Sequence, residues 1–144
     1  MDILILVGTQ TNTAKNAGEE MAREAFLRGL KPRVFLMDDF PVIKLPEQTR
    51  VVFIVATTGE GEAPASMIKT WRFLLRKDLP SNSLTQMNFA VFGLGDSSYE
   101  FFNAMATKLT KRLLQLGATQ MIETGLGDYQ HDFEYQGEFD PWLE

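Results

Sequence analysis

The sequence predicts a doubly wound α/β sandwich built on a five-stranded parallel sheet. Short apolar runs alternate with stretches of helical periodicity along the whole chain, and the apolar runs show no polar–apolar alternation. Strands of a parallel sheet lie between two layers of helices and are buried on both faces, which favours such continuous apolar runs. Strands that alternate with helices form right-handed βαβ units, so the sheet is expected to be parallel.

The five predicted strands are the short apolar runs themselves. They are "ILILV" (3–7), "RVFLM" (33–37), "VVFIVAT" (51–57), "FAVFGL" (89–94) and "QMIETGL" (120–126). The link over residues 38–50 is rich in Pro and acidic residues and carries no clear helical period. No helix is therefore predicted between the second and third strands.

Apolar residues at helical spacing predict three helices. Their markers are Ala14, Ala17, Met21 and Ala25 for the first, Met67, Ile68, Trp71, Leu74 and Leu75 for the second, and Phe102, Met105, Leu109, Leu113 and Leu116 for the third. Gly29 and Gly117 are placed to end the first and third helices. The segment "FDPWLE" (139–144) resembles the first turn of a further helix that the end of the chain interrupts, with Trp142 as a packing residue.

Composition limits the possible functions of the chain. Its 144 residues suit one domain, and its net charge of −5 disfavours nucleic-acid binding, which needs a basic surface. The absence of Cys and the single His exclude disulfides, thiolate metal sites and multi-histidine metal sites. The N-terminal apolar run is too short for a signal peptide, and no stretch reaches the ~20 apolar residues of a membrane span. These features predict a cytosolic protein.

Four polar or glycine-rich loops follow predicted strands and are expected at the carboxyl edge of the sheet. They are "GTQTNTA" (8–14), "TTGEGEAP" (57–64), "GLGDSSYEFFN" (93–103) and "GLGDYQHDFEYQG" (125–137). In sheets of this kind, ligands bind at that edge, where the order of the strands reverses. The hydroxyls and amides of the first loop stand at a predicted helix start, which favours a phosphate, although simple helix capping is compatible with the same residues.

Three familiar sites do not fit the sequence. No stretch reads G-x-x-x-x-G-K-[ST], so the chain is not a P-loop NTPase. No G-x-G-x-x-G follows the first strand, which disfavours a standard dinucleotide site. A phospho-receiver domain needs acids at the end of the first strand, where this chain has Val7, Gly8 and Thr9.

The ordered pattern "GTQTNTA … ATTGEGEAP … GLGDSSYEFFN … GLGD" resembles the FMN-binding, flavodoxin-like domain of diflavin reductases over essentially the whole chain. Within that family, the chain is most similar to the NADPH-dependent diflavin reductases of cytosolic iron–sulfur assembly. The segments that carry this similarity are "WRFLLRKDLPSNSL", "LGDYQHDFE" and "DPWL". The resemblance implies non-covalent FMN on residues 1–144, and FAD and NADPH in a reductase region that this chain lacks. It also implies an iron–sulfur partner of the anamorsin type.

The same resemblance implies the roles of individual residues. Tyr99 matches the aromatic residue that stacks on the flavin ring, and Gly59 matches a glycine whose carbonyl can turn toward the flavin N(5). Thr58 stands where better-known relatives have a Tyr, so weaker FMN retention is expected. The phosphate is expected on Thr9, Gln10, Thr11, Asn12, Thr13 and Ala14, and the ring on Thr57, Thr58, Gly59, Gly61, Leu94, Gly95, Asp96, Tyr99, Phe102, Asn103, Leu126 and Asp128.

No residue is expected to act in acid–base catalysis, because the cofactor supplies the chemistry. Acidic residues concentrate in the loops of the ligand edge, where they serve either solubility or the docking of a basic partner. These residues are Glu60, Glu62, Asp96, Glu100, Asp128, Asp132 and Glu134. Lys15 and His131 are interpreted as surface residues. Three alternatives remain: a free-standing flavodoxin-like shuttle, the FMN domain of a reductase similar to P450 reductase, and a flavin-free docking relative.

Overall fold

The computed structural model describes residues 2–8, 12–27, 29–56, 65–95, 104–120 and 125–128. Within these ranges, the strands form one sheet in which every pairing is parallel. The strands are β1 (Asp2–Gly8), β2 (Lys31–Leu36), β3 (Arg50–Ala56), β4 (Asn88–Gly95), β5 (Thr119–Gln120) and β6 (Gly125–Asp128). The helices are α1 (Asn12–Leu27), α2 (Ile68–Leu74) and α3 (Ala104–Gln115).

The strand order is β2-β1-β3-β4-β5, with β6 also paired to β4. β5 pairs with the first residues of β4, and β6 pairs with its last residues. The sheet therefore has the five predicted positions, and the fifth is described as two short strands where the sequence predicted one strand over 120–126. The predicted α/β class and parallel sheet are confirmed.

Alternate residues of the central strands enter two separate cores. Ile5 and Val7 of β1 belong to a smaller core with Met21 of α1, whereas Leu4 and Leu6 belong to a larger core on the opposite face. Both cores are almost fully shielded from solvent. The continuous apolar runs thus correspond to strands that are buried on both faces, as the sequence predicted.

Both predicted glycine stops are confirmed, and each ends its helix in the same way. Gly29 and Gly117 have φ of 86° and 93°, a conformation that glycine adopts without steric cost. After α1, the N–H of Leu30 donates to the carbonyl of Ala25. The N–H of Ala118 makes the matching bond after α3. At each end the glycine N–H also donates a bond, from Gly29 to the carbonyl of Phe26 and from Gly117 to that of Leu114. The two bonds together form a Schellman motif, which satisfies carbonyls at the end of a helix.

The link between β2 and β3 contains no α-helix, in agreement with its missing helical period. It forms two 3₁₀ segments, Met37–Asp39 and Val42–Glu47. Leu45 of the second segment and Phe40, which lies between the two, are buried in the larger core. The second predicted helix begins as a third 3₁₀ segment, Ala65–Met67, that continues into α2.

Two of the residues that marked the second helix are not buried. Ile68 is 37% exposed and Leu75 is 49% exposed, although both were expected on its apolar face. The helix is only seven residues long, so its buried stripe is narrow and consists of Thr70 and Leu74, with Trp71 partly covered. In the described part of the chain, no helix has the length and apolarity needed to cross a bilayer.

Candidate functional site at the carboxyl edge of the sheet

The register of the sheet brings four strand ends to one edge. Cα partners along this edge are Gly8 with Val55, Ala56 with Leu94, and Gly95 with Asp128. The loops that follow β1, β3 and β4 therefore start side by side. The order of the strands reverses between β1 and β3, and in sheets with this order that point is the usual ligand site.

The N-terminus of α1 lies at this reversal point. The helix begins at Asn12, four positions after the last residue of β1. Its first backbone N–H groups have no partner within the helix, and the aligned peptide dipoles place partial positive charge there. Both properties suit a phosphate group. Asn12, Thr13 and Ala14 form the first turn, as predicted, whereas Thr9, Gln10 and Thr11 fall outside the described residues.

Four of the predicted ring-binding residues lie on the described strands. Leu94 and Gly95 end β4, and Leu126 and Asp128 belong to β6, which pairs with that end of β4. The backbone thus brings these four residues together at the predicted edge. The other expected ring contacts lie outside the described residues and remain predictions: Thr57, Thr58, Gly59, Gly61, Asp96, Tyr99, Phe102 and Asn103.

The polypeptide that returns from the second loop is fixed to the end of β1. Ser66 Oγ donates to the carbonyl of Val7 at 3.4 Å, and the fully buried Met67 lies against Gly8. A Cβ added to Gly8 would stand 2.6 Å from the Met67 sulfur. Gly8 therefore leaves the space that Met67 occupies. The sequence placed Met67 in the core but gave no sign that its neighbour would be Gly8.

Asp38 stabilises the start of α2 from a distant part of the chain. Its carboxylate accepts hydrogen bonds from the backbone N–H groups of Lys69, at 3.0 Å, and Thr70, at 2.9 Å. The buried Thr70 hydroxyl donates to the carbonyl of Met37. Met67 stands at the N-cap and makes no side-chain cap bond, so Asp38 supplies the missing acceptor. The poor cap residue was the one sequence signal that an acceptor had to come from elsewhere.

Arg112 of α3 satisfies the other end of α2. Its guanidinium donates through Nε to the carbonyl of Leu74 and through Nη2 to the carbonyl of Arg76, the latter at 3.0 Å. A cation suits the C-terminal end of a helix, and the carbonyls there lack helical partners. Thus α2, which follows the second loop directly, is held at both ends by side chains of other elements.

We expect Asp38→Asn to lower the free energy of unfolding by about 1–2 kcal/mol, because one of two charge-assisted bonds to the helix start is lost. Urea unfolding of the FMN-free chain measures this change. Asp39→Asn is the matched control, since Asp39 is exposed and adjacent. It should change stability by less than about 0.5 kcal/mol. Equal losses in the two variants would contradict the capping role of Asp38.

Among the described residues, no group of three or more His, Cys, Asp or Glu side chains is arranged to hold a metal ion.

The sequence profile of the flavodoxin family matches residues 5–142. The chain belongs to the flavodoxin family. The β2-β1-β3-β4-β5 order and the site at the β1/β3 reversal agree with that membership.

This flavodoxin-family chain is similar to a set of longer proteins. It is 50% identical over 141 residues to NADPH-dependent diflavin oxidoreductase 1 of Danio rerio, covering 98% of this chain and 24% of that protein. The protein of the same name from Arabidopsis thaliana is 49% identical, with 98% and 23% covered. The chain therefore spans about a quarter of the length of these relatives.

Solved structures share the fold of the chain. A flavodoxin mutant from Pseudomonas aeruginosa superposes with a TM-score of 0.82 at 22% identity, covering 99% of this chain and 94% of that one. Flavodoxin 1 from Bacillus cereus gives a TM-score of 0.80 at 17% identity, with 99% and 92% covered. At this level of identity, the agreement concerns the fold alone.

Proposed function

We propose that this chain binds one FMN non-covalently and acts as the electron-transfer domain of an NADPH-dependent diflavin oxidoreductase. The observation that carries the proposal is the meeting of the α1 N-terminus with the ends of β1, β3, β4 and β6 at one edge of the sheet. A helix N-terminus suits the phosphate of a mononucleotide, and closely spaced strand ends suit a flat ring. The flavodoxin-family membership supports FMN as that mononucleotide.

FMN, when bound, would supply the redox chemistry and pass electrons on singly. The residues of this chain bind and orient it. The first turn of α1, at Asn12, Thr13 and Ala14, holds the phosphate through backbone N–H groups. The backbone at Gly95 and Asp128 lies where the edge of the flavin ring is expected. The resemblance implies that side chains of the loops, Tyr99 among them, contact the rest of the ring.

The remaining parts of the proposal concern the longer protein. The relatives named NADPH-dependent diflavin oxidoreductase 1 support an origin of the electrons in NADPH, delivered through FAD in a separate region. The resemblance of "MNFAVFGLGDSSYEFFN" and "DPWL" supports an iron–sulfur acceptor of the anamorsin type and a place in cytosolic iron–sulfur assembly. We accordingly propose a cytoplasmic protein that docks both its own FAD/NADPH region and that acceptor.

The absorbance spectrum of the purified chain, with mass analysis of the cofactor released by heat, tests the proposal. We expect FMN at one per chain, released without covalent attachment, since the chain has no Cys to form a thioether. FAD in the supernatant would contradict the mononucleotide site. Flavin retained after denaturation would contradict non-covalent binding. A colourless chain that does not bind added FMN would support the alternative of a flavin-free docking relative.

A further inference from the structure

The helices α2 and α3 form one continuous surface on the same face of the sheet. Leu74 of α2 and Leu109 and Leu113 of α3 are buried in the same core. Arg112 joins the two helices, because it donates to the carbonyls of Leu74 and Arg76. The outward faces of the two helices are therefore neighbours on the protein surface.

This surface has a charge opposite to that of the chain. Residues 65–95 and 104–120 contain seven of the 14 Lys and Arg residues but only one acid, Asp78, although the chain as a whole carries −5. Five of the seven basic residues are exposed and define what we call the basic helical surface: Lys69, Arg72, Lys77, Lys108 and Lys111.

The other two basic residues, Arg112 and Arg76, are not counted in this surface because their guanidinium groups contact the nearby polypeptide. Arg112 satisfies the end of α2, and Arg76 forms an ion pair with Asp78 at 2.6 Å while its guanidinium lies 5.9 Å from the centre of the Phe73 ring. The side-chain hydrogen bond from Arg76 lowers the pKa of Asp78, which keeps this acid ionised and engaged with Arg76. The single acid of the region is thus paired with a residue outside the basic helical surface.

The spacing of these charges does not favour helix stability. Lys69 and Arg72 are three residues apart on α2, and Lys108 and Lys111 are three apart on α3. Like charges at this spacing face the same side of a helix and repel each other. By contrast, Glu19 and Arg23 of α1 have opposite charges at the favourable spacing of four. Arg72 lies in the last turn of α2, where a cation suits the helix dipole, but the repeated spacing of like charges costs stability in both helices. The pattern as a whole therefore points to a role beyond helix stability.

Exposed apolar side chains lie on the same two helices. Ile68 and Leu75 flank α2, and Leu114 of α3 is 48% exposed. Protein interfaces combine apolar contacts with a charged rim, and complementary charge steers the partner into register. A partner for these helices would accordingly carry acidic residues with a few apolar side chains among them.

We propose that the basic helical surface binds an acidic polypeptide segment of a partner protein. Nucleic acid is a poorer match, because its phosphate backbone offers no apolar side chains to the exposed Ile68, Leu75 and Leu114. The surface consists entirely of described residues and does not include the ends of β1, β3, β4 and β6. The proposal is therefore independent of cofactor binding.

The test measures binding of a fluorescein-labelled peptide of Glu and Asp, with Leu at every fourth position, to the complete 144-residue chain by anisotropy. Arg72→Glu/Lys111→Glu should weaken binding by about 10-fold or more, since two attractions become repulsions. Lys31→Glu/Lys44→Glu is the matched control: both residues are exposed, and the net charge changes equally. Its affinity should stay within about twofold of the native value. Affinity of the native chain should fall as salt rises.

Thermal unfolding separates binding from folding. The Arg72→Glu/Lys111→Glu variant should melt close to the native chain, because relief of repulsion along α2 and α3 offsets the loss of a cation from the last turn of α2. If it does melt lower, Arg72→Gln/Lys111→Gln repeats the measurement without reversed charge and should still lose affinity. The proposal is overturned if the native chain does not bind the peptide, or if both charge-reversed variants weaken equally. Tighter binding of single-stranded DNA or of phosphatidylserine vesicles than of the peptide would also overturn it.

Discussion

Met67→Ala is expected to lower the free energy of unfolding by about 2–5 kcal/mol, the usual cost of truncating a fully buried Met. Met67 has no exposed area and belongs to the larger core, where it lies against Gly8 at the end of β1. Its loss leaves a cavity where the polypeptide returning from the second loop meets the strand. Since a typical domain has only about 5–15 kcal/mol of stability, this is a large fraction of the total.

Gly8→Ala provides the complementary change at the same contact. The added methyl would stand 2.6 Å from the Met67 sulfur, so we expect a loss of about 1–3 kcal/mol from overpacking. The backbone of Gly8 is not in the left-handed region, so the requirement for glycine is one of space. In the Gly8→Ala/Met67→Ala variant, the two nearest atoms, the sulfur and Cγ, are gone, and only the Cβ at position 67 remains close, at 3.1 Å.

A double-mutant cycle by urea unfolding measures the contact directly. The double variant should be less destabilised than the sum of the two single variants, by about 1 kcal/mol or more. Strict additivity would show that Gly8 and Met67 do not share this space.

The strands and helix ends could be predicted from the sequence because their signals are local. The run "VVFIVAT" reports burial on both faces of a strand, and β3 covers Arg50–Ala56. Gly29 and Gly117 report a left-handed residue after a helix, and both adopt it. Each of these signals depends on residues that are close in sequence, so periodicity and composition are sufficient.

The contacts that hold α2 could not be predicted, because their partners are far apart in sequence. Asp38 lies 31 residues before Lys69, and Arg112 lies 38 residues after Leu74. Nothing in the sequence around an Asp in a connecting segment, or around an Arg on a helix, shows whether its side chain bonds to the end of another helix or faces solvent. Only the packing of the 3₁₀ segments and α3 against α2 distinguishes these roles.

The sequence predicted the location of the candidate site, at the carboxyl edge of the sheet, more completely than it predicted which side chains form the site. Gly95 and Asp128 are Cα partners because neighbouring parallel strands end at the same edge of the sheet. The order of strands and loops along the sequence was enough to predict this. The choice among the loop residues depends on the resemblance to the diflavin reductases. Tyr99 is the residue on which that choice has the largest expected effect.

Tyr99→Ala is expected to weaken FMN binding by roughly 5- to 150-fold, equivalent to about 1–3 kcal/mol for the loss of one stacked aromatic ring. Tyr99 matches the flavin-stacking aromatic residue in "GLGDSSYEFFN", the loop that follows β4. Stacking depends on the ring face and not on the hydroxyl, so Tyr99→Phe should keep most of the affinity. Titration of the FMN-free variants, followed by quenching of flavin fluorescence, gives the dissociation constants.

Thr58→Ala is the matched comparison, because it truncates a residue of the second loop at the position where, by the resemblance, the better-known diflavin enzymes have a Tyr. A Thr side chain offers no ring to stack, so its removal should change the affinity far less than Tyr99→Ala. If the two variants lose affinity equally, Tyr99 does not stack on the flavin. If Tyr99→Phe is as weak as Tyr99→Ala, the hydroxyl makes the important contact, and the aromatic face does not. A large loss confined to Tyr99→Ala would show that one ring face depends on the loop after β4, since the second loop contributes no aromatic side chain there.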